Sequence, residues 1–109
     1  MATAYKVLGQ TGDASANDVS LYTVPASTET VISTIVICNR EGAANTFRIA
    51  VKPDGATLAN EHYLAYDSSI NANDTITLTL GITIDATDVV SVGASDANVS
   101  FSAFGTEIS

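Results

Sequence analysis

The sequence predicts an all-β domain, an antiparallel β-sandwich of jelly-roll-like form with about eight or nine short strands. Three observations carry this. Val, Ile and Thr dominate the apolar runs, and β-branched side chains suit a pleated surface but lose rotamer freedom in a helix. Apolar and polar residues alternate with period two, most cleanly between Thr75 and Ile84. Turn residues punctuate the chain about every 8 to 12 positions, with no helical pattern between them to act as a crossover.

Tyr5 to Leu8 reads as the first strand, and the polar stretch Gly9 to Asp18 as a surface loop without periodicity. Val19 to Val24 is the second strand, closed by Pro25, which cannot donate to a ladder. Glu29 to Arg40 is the longest. Its core Val31 to Ile37 is apolar on both parities, with Ile32, Val36 and Cys38 on one face and Val31, Ile35 and Ile37 on the other. Such a strand is expected at the centre of a small β domain, covered on both sides.

After the turn Glu41 to Asn45, Thr46 to Lys52 places Phe47, Ile49 and Val51 inward and Thr46, Arg48, Ala50 and Lys52 outward. Pro53-Asp54-Gly55 is a turn. Glu61 to Tyr66 follows as a strand, with a short helix between Thr57 and His62 as the alternative. In the next run Ile76, Leu78, Leu80, Ile82 and Ile84 share one parity, and Gly81 marks a bulge or bend between two short strands. Val89 to Val92 and Val99 to Phe104 complete the series.

One domain spanning residues 1–109 is expected from the length. With 46% apolar and 15% charged residues the chain is not of disordered composition. Four basic against twelve acidic side chains give a net charge of −8, which repels phosphate backbones and anionic lipid. Nucleic-acid and membrane partners are therefore not expected. The lone Cys38 cannot form an intrachain disulfide and reads as a small buried hydrophobe. No secretory signal and no apolar stretch of roughly 20 residues is visible.

The residue types that carry chemistry do not form a pattern. His62 is the only histidine, so neither a zinc site nor a triad with a second imidazole can be assembled. Asp67, Asn71, Asn73 and Asp74, and separately Asp85 and Asp88, lack calcium-loop spacing and read as loop caps. No glycine-rich phosphate cradle follows a strand into a helix. The sequons at Asn73 and Asn98 read as chance matches in an Asn- and Thr-rich chain. Tyr5, Tyr22, Tyr63 and Tyr66 fit core edges and subunit contacts better than a sugar platform, given 6% aromatics and no Trp. No catalytic, cofactor-binding or metal-binding residue is assigned, and an enzyme is not expected.

Several segments, in order, resemble small virion structural proteins of tailed bacteriophages. They are Tyr5-Lys-Val-Leu-Gly-Gln10, Leu21-Tyr-Thr-Val-Pro25 leading into Val31 to Asn39, and Phe47-Arg-Ile-Ala-Val51. Asn73-Asp74-Thr75-Ile-Thr-Leu-Thr-Leu-Gly81-Ile and the ending Phe104-Gly-Thr-Glu-Ile108 complete the set. The resemblance implies a non-enzymatic β-sandwich on the particle surface, made in the host bacterial cytoplasm. The role it implies first is capsid decoration (cement), binding the major capsid protein and forming a homo-oligomer, a trimer above all. Ala2 to Leu8 and Gly105 to Ser109 would then be contact segments. A tail, neck or fibre component is the alternative within the virion. From another class, a carbohydrate-binding module would use Tyr63, Tyr66 and nearby acids.

Overall fold

The computed structural model describes residues 2–109; Met1, where the expected domain begins, lies outside them. Eight strands form two four-stranded antiparallel sheets, and the short helical turns Pro53–Gly55 and Asn60–His62 are 3-10. The strands are β1 (Thr3–Thr11), β2 (Val19–Thr23), β3 (Glu29–Asn39), β4 (Asn45–Lys52), β5 (Tyr63–Ile70), β6 (Thr75–Asp85), β7 (Val89–Ala94) and β8 (Val99–Ile108). The first sheet runs β1-β8-β3-β6 and the second β2-β7-β4-β5. Every connection except β4 to β5 crosses between sheets, which is a jelly-roll order. The β-sandwich is the class the sequence predicted; its strand order comes from the structure.

The elements begin within two residues of the expected positions, and several run further. β1 extends to Thr11 and β8 to Ile108 because the two pair along their lengths, from Thr3 opposite Ile108 to Thr11 opposite Phe101. Ala2 and Ser109 close the ladder with reciprocal backbone bonds of 2.7 and 2.8 Å. The stretch from Thr75 to Asp85 is one strand, not two. Gly81 supplies the irregularity with φ of +63°, a conformation that costs glycine little. The expected strand Glu61 to Tyr66 starts at Tyr63 and continues to Ile70, and the alternative helical turn occupies Asn60–His62.

The core lies between the sheets. Ile32, Ile35 and Ile37 of β3 are fully buried against Phe47, Ile49, Val90 and Val92 of the second sheet. Phe47 meets Phe101 edge to face across the layers, with ring centroids 6.4 Å apart. These burials correct the two faces assigned to β3. Ile32 pairs with Gly105 and Thr34 with Phe104, so Ser33 is an extra residue in the strand. One extra residue reverses the alternation. Thr30 and Ile32 point inward before it, Ile35, Ile37 and Asn39 after it, and Val31, Val36 and Cys38 stay half-buried outside. Leu80, grouped with the core by parity, is 45% exposed because it lies in the matching irregularity of β6.

The strand buried on both sides is β7, where Val90, Ser91, Val92, Gly93 and Ala94 are all inaccessible. Its outward side is covered by the Gly12 to Asp18 loop, which the sequence had placed wholly at the surface. Ala14 is fully buried, and its carbonyl accepts the Ala94 amide at 3.0 Å. Asn17 lies so close over Gly93 that a Cβ there would contact its backbone at 2.8 Å. The salt bridge from Lys52 to Asp18, at 3.0 Å, secures the loop end.

Two polar devices join distant segments. The buried Asn39 donates to the carbonyls of Ala43 and Asn71 at 2.9 and 3.0 Å and accepts from Glu41 N–H and Asn45 Nδ2, both at 3.1 Å. It thereby clamps the β3–β4 turn to the β5–β6 turn. Between the sheets, the Tyr22 hydroxyl donates to Glu107 at 2.6 Å and accepts from Thr30 at 2.8 Å. Lys6 Nζ closes on the other Glu107 oxygen at 3.0 Å. Burial, then the Glu107 hydrogen bond, push the Tyr22 hydroxyl up to about 12. The same bond, with Lys6, holds Glu107 below its ordinary range.

Two outcomes are expected. Ile35→Ala should lower unfolding stability by about 2–5 kcal/mol and Val36→Ala by about 1 kcal/mol or less, measured by urea denaturation. Equal losses would contradict the reversal at Ser33. For Tyr22, the unfolded hydroxyl ionises near 10 and the folded one near 12, so its stabilisation is present below pH 10 and lost as pH rises to 12. Glu107 acts with the opposite sign, its contribution fading as pH falls below the ordinary carboxylate range. Tyr22→Phe should cost roughly 1–2 kcal/mol at neutral pH and remove the alkaline decline in a pH series of thermal melts.

Candidate functional site

The residues with chemical potential are kept apart by the fold. Cys38 sits half-buried on the outward side of β3 in the first sheet, while His62 ends the 3-10 turn before β5 in the second. The His62 Nδ1 accepts the Ala59 amide at 3.0 Å, which leaves Nε2 as the protonated nitrogen of the neutral ring. The acids of the loops cap backbone amides. Asp74 accepts from Thr75 N–H at 2.9 Å, and Asp88 accepts from Asp54 and Asp85 N–H at 2.8 and 3.0 Å. A hydrogen bond to Asp88 and repulsion from it raise the Asp85 carboxyl above its ordinary range. Among the described residues no group of three or more His, Cys, Asp or Glu is placed to hold a metal ion.

What the fold does present is two outward faces of different character. The first is the outer side of β1-β8-β3-β6. Tyr5 is 84% exposed and Val7 48%, beside a strip of half-buried Val31, Phe104 and Ile108. Phe104 lies opposite both Val7 and Thr34, and Thr106 opposite both Tyr5 and Val31, so these side chains share the face. Thr77, Thr79 and Thr83 of the edge strand β6 continue it, opposite Val36, Thr34 and Val31. Charge enters only at the end, where a furrow of about 390 Å³ has Val31 and Ile108 in its lining with Glu29 and Asp85. The two segments expected to make contacts are strands of this face, paired with each other.

The second face is the outer side of β4 and β5. Phe47 pairs with Ser68 and Ile49 with Ala65, so Tyr66 and Asp67 together oppose the single residue Arg48. That bulge aims both side chains at one guanidinium. Asp67 grips Arg48 with two bonds, 2.7 Å to Nε and 3.2 Å to Nη2, and the Arg48 Cζ stacks 4.2 Å over the Tyr66 ring. Asp67 holds a φ of +50°, a left-handed conformation uncommon for a residue with a Cβ. The hydrogen bond from Arg48 keeps the Asp67 carboxyl below its ordinary range. Tyr63 packs edge-on against Tyr66, centroids 4.8 Å apart at 81°.

On either side of the Arg48–Asp67 pair lies a shallow depression. Asn60, Tyr63 and Tyr66 line one of about 280 Å³, and Asn17, Thr46, Ser95 and the ion pair itself line another of about 220 Å³. The sequence named Tyr63 and Tyr66 and placed Arg48 outward on its strand, but did not bring Arg48 to them. Its pairing needs the β4–β5 register, which strand alternation alone does not supply.

No family model matches the chain, and no curated protein matches it. Among solved structures, a chain in the structure of infectious bursal disease virus Gx strain is similar with a TM-score of 0.41 and 14% identity. The match covers 98% of this chain and spans 32% of that one. A likeness at that level carries no inference about function.

The Arg48 stack has a spectroscopic signature. Its Hδ and Hε protons should be shifted upfield by the Tyr66 ring current and should return towards ordinary positions in Tyr66→Leu. Unchanged positions in that variant would mean that the stack does not form in solution.

Proposed function

We propose that the chain is a non-enzymatic structural protein of a phage virion, a capsid decoration (cement) protein that binds the major capsid shell. The observation that carries this reading is the outer face of β1-β8-β3-β6. Tyr5 and Val7 stand exposed there beside half-buried Phe104, Val31 and Ile108, on a Thr-rich surface that bears charge only at one end. Isolated apolar side chains on a surface need no explanation, but a contiguous strip of them marks an interaction site. The Tyr5 to Gln10 and Phe104 to Ile108 segments that resemble phage virion proteins are the strands β1 and β8 of this same face.

Physical chemistry supports the role. A protein made in many copies before assembly benefits from a net charge well away from zero, here −8. Its docking must then rest on shape and apolar contact. A trimer seated on the local three-fold points between capsomers would present three such faces to the shell, multiplying a modest single contact.

Val7→Asp should leave the thermal melt nearly unchanged and weaken co-sedimentation with undecorated capsids by roughly tenfold or more. Undiminished binding by a folded Val7→Asp protein would rule out this face. Electron microscopy of labelled particles separates the head from the tail apparatus. Density over the whole head at high copy number supports decoration, whereas density confined to tail, neck or fibres at a few copies replaces it with the alternative.

A further inference from the structure

We infer that the Tyr63–Tyr66 corner on the outer face of β5 is a binding subsite for a single neutral pyranose ring. The depression there is small, about 280 Å³, and its lining is almost wholly aromatic, with Asn60 at the rim. A pyranose presents an apolar C–H face and a polar hydroxyl edge. The Tyr63 and Tyr66 rings that line the depression match the C–H face. Asn60 adds one acceptor oxygen and a two-proton donor for the hydroxyls at the ring's edge.

The corner is built rather than incidental. Tyr66 is 58% exposed, yet it is held on one side by the Arg48 guanidinium at 4.2 Å and on another by the Tyr63 edge. Arg48 is itself locked by both oxygens of Asp67, and the bulge places all three on one face. A platform ordered before the ligand arrives does not lose that freedom on binding. An exposed Tyr66 braced by a half-buried Tyr63, with a left-handed Asp67 beside it, is more order than an edge strand needs for protection.

Electrostatics select the class of sugar. The one cation at the site is neutralised by Asp67, and the chain as a whole carries −8. An acidic sugar would meet repulsion with no free cation to receive it, while a neutral ring meets none. This face points away from the outer face of β1-β8-β3-β6, so sugar binding is independent of the docking proposed above.

The test is a titration of the isotope-labelled full chain, followed by amide NMR. The probes are glucose, galactose, mannose, N-acetylglucosamine and, as an acidic control, N-acetylneuraminic acid. The expected result is a saturable shift confined to Ala59 to Asp67 with at least one neutral sugar and none with the acidic one. Tyr66→Ala should weaken that binding about tenfold or more. Asn60→Ala, which leaves the Arg48 stack in place, should weaken it roughly 2–10-fold. Val7→Asp on the opposite face should leave it unchanged, so failure of the docking reading and failure of this one are separable. No saturable shift with any neutral sugar overturns the proposal. So does equal binding of the acidic sugar, or parental affinity in both Tyr66→Ala and Asn60→Ala.

Discussion

The Ser33 bulge is the constraint on which the rest of the first sheet depends. A strand passing through the middle of a sandwich must keep one face in the core, and regular alternation of β3 would have put Ile32 inside and both Ile35 and Ile37 outside. The extra residue restores all three to the interior, and with them the buried clamp at Asn39. The adjustment is not confined to one strand. In β1 Leu8 is the extra residue between Val7 and Gly9, opposite Phe104 and Ala103, and in β6 Leu80 and Gly81 fall at the same level. A line of irregularity therefore crosses the sheet from edge to edge. Bulges increase local twist and bend a strand. Along this line Val7 and Phe104 come to lie opposite each other on the outer face, so the device that completes the core runs beneath the exposed apolar side chains.

The second sheet uses the same device for a different end. At Tyr66–Asp67 the doubled residues oppose Arg48, and the result is an ordered polar and aromatic cluster rather than a repaired core. Its position on the edge strand β5 follows from economy of structure. An interior strand would have to satisfy two neighbours, whereas an edge strand can distort with one. The interior strand β7 shows the contrast. It is regular against β4 from Val89 to Ala94, and its outer side is sealed by the Ala14 to Asp18 segment.

Period two and turn chemistry made the strands and the β-sandwich class legible, because alternation and turns are local to each segment. The strand order was not legible, since every pairing but β4–β5 joins strands that are not consecutive. The β3 face assignment failed for a specific reason. A bulge is a relation between two strands, and nothing in Val31-Ile-Ser-Thr-Ile35 states which residue the partner will skip. Gly81 was readable because its backbone freedom is an intrinsic property, while the matching irregularity at Ser33 was not. Ala14 was equally hidden, a small residue in a polar loop whose burial depends on a carbonyl reaching Ala94 from another segment. At the candidate sites the same division holds. The aromatics Tyr63 and Tyr66 could be named, and Arg48 placed outward. Asp67, read as a loop cap, lies in β5, and its pairing with Arg48 entered only with the β4–β5 register.

Charge organises what the two faces can accept. All four basic side chains are engaged within the fold. Lys6 is held by Glu107, Arg48 by Asp67 and Lys52 by Asp18, and the Arg40 guanidinium donates to the Gly12 carbonyl at 2.6 Å. The acids greatly outnumber them, so the net field around the protein is negative. Polyanions and acidic ligands meet net repulsion. Attraction is left to surfaces that do not depend on net charge, which are the apolar and threonine strip of the first sheet and the tyrosine corner of the second. These lie on opposite sides of a sandwich whose smallest dimension is 19 Å. A molecule this thin can be seated on a large neighbour by one face while the other remains open to solvent. The proposed docking face and the proposed sugar corner therefore sit on opposite sides of the one sandwich.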